Sequence, residues 1–100
     1  MAEVIGISKT DLYTQVQAGG ETTMDVDGIG ILLVQIASRS NTHHMVNIGA
    51  NSVDIVSGFS ILSNTNESGK MNISFSGSTI TFTNNASSPL VIRAYYYRIS

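Results

Sequence analysis

Residues 70–84, KMNISFSGSTITFTN, alternate strictly between apolar and polar side chains on both sides of a glycine. Met71, Ile73 and Phe75 fall on one face of the first arm, and Asn72, Ser74 and Ser76 on the other. After the turn, Ile80 and Phe82 interleave with Thr79, Thr81 and Thr83. A period of two fits a strand with one buried face and cannot form an amphipathic helix. The segment therefore predicts a β-hairpin with Gly77 at its turn. Its second face is Asn, Ser and Thr, suited to water or a partner.

The same grammar runs along the rest of the chain. DLYTQVQA (residues 11–18) sets Leu12, Thr14, Val16 and Ala18 against Tyr13, Gln15 and Gln17. It admits a helix, but Gly19-Gly20 follows at once and a strand is preferred. A short strand over Thr22 to Val26 precedes a turn at Asp27-Gly28. From Ile29 to Ala37 both faces are apolar: Ile29, Ile31 and Leu33 on one, Leu32, Val34 and Ile36 on the other. Such a strand is central, or covered on both sides. HHMVNIGA and NSVDIVSG read as two strands joined near Gly49 to Asn51. FSILSNTNESG gives a strand from Phe59 to Leu62 and then a polar loop. The last strand starts after NNASSP, with the one proline, Pro89, tolerated at its first position.

Eight or nine short strands with turn residues between them predict an all-β fold, a jelly-roll-like antiparallel β-sandwich, as a single domain over residues 1–100. One hundred residues suffice for one core without disulfides, and the chain has no cysteine. Cysteine-free composition favours the cytoplasm, or a particle assembled there, over secretion. The start, MAEVIGIS, lacks the features of a secretory leader. The longest apolar run, IGILLVQIA, is too short for a membrane helix. Charged residues make up only 12% and the net charge is −2. There is no basic patch for a phosphate backbone, so neither nucleic acid nor membrane is an expected partner.

The C-terminal strand carries the strongest hint of purpose. PLVIRAYYYRIS holds three of the seven aromatic residues. Leu90, Ile92, Ala94, Tyr96 and Arg98 form one set, the better core face. Val91, Arg93, Tyr95, Tyr97 and Ile99 form the other, and tyrosine with arginine is a composition of contact surfaces. Either a loop of the same chain covers this second face, or another subunit does. Two tyrosines of about 150 Å² each, with Val91 and Ile99, make a patch larger than monomers usually leave bare. Self-association is preferred, with Arg93, Tyr95, Tyr97 and Ile99 as interface residues and Val4 to Ile7 as an arm able to join a neighbour's sheet edge.

Signals for chemistry are weak. Asp25 and Asp27 in DVDG lack the downstream ligands of a calcium loop, and a turn is the better reading. His43 and His44 are adjacent and would face opposite ways on a strand. A ring of histidines about a trimer axis is the alternative to an ordinary loop-edge pair. No serine sits in a nucleophile elbow, and Gly28 and Gly30 precede no helix. Sequons at Asn66, Asn72 and Asn85 are what an Asn/Ser-rich chain yields by chance. The reading is a non-enzyme with no cofactor and no metal.

Taken together, the opening MAEVIGIS, the Ser/Thr/Asn-rich alternating strands and the ending ITFTNNASSPLVIRAYYYRI resemble small all-β structural proteins of tailed bacteriophages: capsid-decorating, head-fibre and tail-fibre domains. The resemblance implies a virion component that forms symmetric homo-oligomers, commonly trimers, contacts other virion proteins and works without catalysis. It transfers no functional residue. The absence of a shaft fits a decoration, adaptor or fibre-head subunit. The alternative is a carbohydrate-binding module or receptor-binding fibre tip, with Tyr95 and Tyr97 as platforms for a surface glycan.

Overall fold

The computed structural model describes residues 9–38, 42–50, 52–58 and 61–99, with side chains from residue 11 onward. The described residues form an all-β sandwich of nine strands: β1 Lys9–Val16, β2 Glu21–Asp25, β3 Gly30–Ile36, β4 His44–Ile48, β5 Val53–Ile55, β6 Leu62–Ser63, β7 Met71–Ser76, β8 Thr79–Asn84 and β9 Leu90–Arg98. One sheet has five strands in the order β1-β9-β3-β4-β5, and the other has four in the order β2-β8-β7-β6. The first and last strands pair with each other. The next two inward, β2 and β8, pair in the opposite sheet. That nesting is jelly-roll-like; the middle departs from it, since β3, β4 and β5 form a simple meander.

Alternation becomes packing. The inner faces contribute Leu32, Val34 and Ile36 from β3, Ile73 from β7, Ile80 and Phe82 from β8, and Ile92, Ala94 and Tyr96 from β9, all buried. These two faces close on each other as sheets packed about 10 Å apart. The hairpin forms as expected: Ser76 pairs with Thr79 and Gly77 takes φ +64°, the left-handed conformation that a two-residue turn demands and glycine supplies without strain. Met71, Ile73, Ile80 and Phe82 are buried; Phe75 is half-buried against the core.

β3 lies centrally, bonded to β9 on one side and β4 on the other. One expectation shifts. Phe59 and Ser60 lie outside the described residues, and the described strand near them is Leu62–Ser63, paired parallel with β7. The last strand begins at Leu90, after NNASSP as expected, with Pro89, which has no amide hydrogen for the ladder, just ahead of it. The proposed arm, Val4 to Ile7, lies outside the described residues.

Asn84 ties the core's end together. Its side chain is fully buried, donates from Nδ2 to the carbonyls of Val16 and Ser88, both at 2.9 Å, and accepts from the Ala86 amide at 2.9 Å. A buried amide is tolerable only when so satisfied. At the opposite end, the Tyr96 hydroxyl donates to the Gly28 carbonyl at 2.8 Å. Gly30 lets the ring in: a Cβ there would lie 2.7 Å from both Tyr96 Cζ and its hydroxyl.

Candidate interaction face

The outer face of the five-stranded sheet follows from the register. Asp11 lies opposite Tyr95, and Tyr13 opposite Arg93. On the other flank of β9, Tyr97 lies opposite Ile31, Tyr95 opposite Leu33 and Arg93 opposite Gln35. Further along, Leu33 pairs with Met45 and Ile31 with Asn47. Since side chains directly opposite share a face, these positions form one surface. Of the interface residues expected from the sequence, Arg93, Tyr95 and Tyr97 therefore sit on the outward row of β9, and Ile99 lies one residue past its end. Arg93 and Tyr95 are half-buried among their neighbours; Tyr97 and Ile99 are exposed. The inward row, Leu90, Ile92, Ala94 and Tyr96, is buried, and Arg98 closes it at the rim with a 3.0 Å ion pair to Asp27.

Sequence reasoning found one strand of this surface and missed its width. Large apolar side chains stay open beyond β9: Tyr13 is 63% exposed, Val56 51% and Met45 39%, beside Tyr97 at 37% and Ile99 at 62%. Ile31 and Leu33 are half-buried between them. The double-sided apolar pattern of residues 29–37 was the available signal. The opposite sheet makes the contrast. Its outward positions are Glu21, Thr23 and Asp25 on β2, Thr79, Thr81 and Thr83 on β8, and Asn72, Ser74 and Ser76 on β7. One outer face of this sandwich is hydroxyl-rich, and the other is apolar and aromatic.

The polar corner of the apolar face is ordered. The Arg93 guanidinium carbon stands 4.3 Å from the centre of the Tyr13 ring, a stacked cation–π contact. His43 meets Tyr95 from the other side, ring centres 6.0 Å apart. Asp11, Leu12, Tyr13, Arg93 and Tyr95 line a shallow depression of about 310 Å³.

The remaining sequence candidates disperse. Asp25 accepts a hydrogen bond from the Thr79 hydroxyl at 3.0 Å, whereas Asp27 holds Arg98. The two histidines part, His43 exposed and His44 buried. The His44 Nε2 has no hydrogen-bond partner among the described residues. The three sequon asparagines meet: Asn85 Nδ2 donates to Asn66 Oδ1, and the Asn66 amide donates to Asn72 Oδ1, each at 2.8 Å. They lock the loop before β7 onto the loop after β8, with Asn66 itself at φ +63°. No group of three His, Asp or Glu side chains that could hold a metal ion occurs among the described residues. Comparison with family models, with curated proteins and with solved structures finds no match for this chain.

Proposed function

We propose that this chain is a structural subunit of a bacteriophage particle, acting through contacts between copies and with other virion proteins rather than through catalysis. The observation that carries self-association is the apolar outer face of the five-stranded sheet, set against the hydroxyl-rich face opposite. Four inter-strand spacings of about 4.8 Å and nine residues of β9 at about 3.3 Å each give a footprint of at most about 570 Å². Side chains standing off the sheet raise its accessible area above that plane. A specific interface takes about 800 Å² per partner, so the face suits one neighbouring copy. Tyr97 and Ile99, with Ile31, Leu33 and Met45, form its apolar centre; Arg93 and Tyr95 stand towards its border. A symmetric homo-oligomer follows; three copies are favoured by the phage resemblance alone, and in a ring of three this face meets a different surface of the next copy.

Mass by light scattering tests the association. Wild type is a stable multimer, Tyr97→Ala falls towards monomer, and Thr81→Ala on the opposite sheet leaves the mass unchanged. A wild-type monomer at high concentration overturns the reading. The virion assignment has its own test: an antiserum to the chain labels purified, genome-filled particles. Protein found only in the soluble lysate overturns that part.

A further inference from the structure

We propose that the depression at the β1–β9 corner binds a neutral hexose unit of a saccharide. Four outward side chains make a square on the sheet: Asp11 opposite Tyr95, and Tyr13 opposite Arg93. Cross-strand neighbours are about 5 Å apart, and positions two residues along a strand about 6.7 Å. The square therefore spans about the width of one pyranose ring. Its diagonals differ in chemistry: Asp11 and Arg93 on one, Tyr13 and Tyr95 on the other.

Each group meets a need of a sugar. A pair of adjacent hydroxyls offers both O–H donors and oxygen acceptors. A carboxylate takes the former and a guanidinium fork supplies the latter. The C–H face of a pyranose packs on an aromatic ring, and Tyr13 keeps most of its surface open while Arg93 fixes it from one side. The volume, about 310 Å³, accepts a single ring with its hydroxyls. Charge selects among saccharides. Asp11, diagonal to Arg93 on the same square, offsets its attraction for an acidic sugar, so a neutral one fits better. Phosphorylated ligands are disfavoured for the same reason, with the chain at net charge −2.

The site borders the proposed contact: Arg93 and Tyr95 belong to both, and Tyr95 lies opposite Leu33. Binding is therefore read on the Tyr97→Ala chain as well as on wild type, so that the mass and the sugar signal are separate readouts.

The test is saturation-transfer NMR with lactose, maltose and mannobiose, alongside sialic acid and glucuronic acid, on the full chain. The expected result is a signal from at least one neutral disaccharide, with Kd about 1–10 mM, as one stacked ring and a few hydrogen bonds give. Tyr13→Ala weakens it about tenfold or more, and Arg93→Gln weakens it with the fold intact by circular dichroism. Tyr97→Ala leaves binding in place even where the multimer dissociates. Absence of signal from all three neutral sugars overturns the proposal. Binding that survives Tyr13→Ala, or that is confined to the acidic sugars, overturns it too.

Discussion

At the scale of single residues, the chain's asparagines tie loops and strand ends together. Asn84 is the clearest case. Its three side-chain hydrogen bonds join β1, β8 and the loop leading to β9. Alanine at this position removes the side-chain partner of two carbonyls and an amide, buried at Val16 and Ala86 and part-buried at Ser88, each worth about 1–3 kcal/mol when orphaned. Because these terms are not additive, Asn84→Ala costs about 3 kcal/mol in all. For a domain of this size that lowers Tm by about 15 °C, measurable by thermal circular dichroism. A loss of only a few degrees means that water or a shifted loop replaces the lost bonds. The alternation of β8 marks Asn84 for the inward row of Ile80 and Phe82, but nothing in the sequence shows the bonds that satisfy it there; Asn85, one residue past the strand, is a loop tie.

At the scale of elements, β9 is the spine, hydrogen-bonded to β1 along one edge and to β3 along the other. Its alternation was readable from the sequence, since inward and outward rows follow from period two alone. Its partners were not. That Tyr13 meets Arg93, or Asp11 meets Tyr95, depends on β1 crossing back beside the far end of the chain, and local pattern carries no such long-range register. The Tyr96 hydroxyl clamps the turn ahead of β3 through the Gly28 carbonyl. Burial pushes its pKa above the ordinary tyrosine value, with the Asp27 charge adding to this and Arg98 opposing it. The folded protein thus holds this proton more tightly than the unfolded chain does. Its contribution is complete below pH about 10 and is lost as pH rises through the folded pKa. Tyr96→Phe, which cannot ionise, is destabilised by about 1 kcal/mol at neutral pH through the lost hydrogen bonds. The gap to wild type narrows as the pH rises above about 10. Urea midpoints at a series of pH values check this; a constant gap contradicts it.

At the scale of the whole molecule, the two outer faces call for different surroundings. The threonine and serine face of the four-stranded sheet satisfies itself with water. The opposite face does not, and with only 12% charged residues and a net charge of −2 the chain has little electrostatic repulsion to keep copies apart. In the proposed association the driving force is removal of apolar area from water, about 25 cal/mol per Å², with the Asp11, Arg93 and Asp54 charges supplying orientation more than affinity. Salt distinguishes these contributions. In about 0.5 M sodium chloride the screening length falls to about 4 Å, so an assembly held by ion pairs weakens. One held by Tyr97, Ile99, Leu33 and Met45 keeps its mass, and sulfate at equal ionic strength tightens it because excluded salts strengthen apolar burial. Sedimentation velocity across the two salts reads the outcome directly. Dissociation in sodium chloride would move the interface from the apolar centre of the sheet to its charged margin, and the Tyr97→Ala variant would then leave the multimer intact.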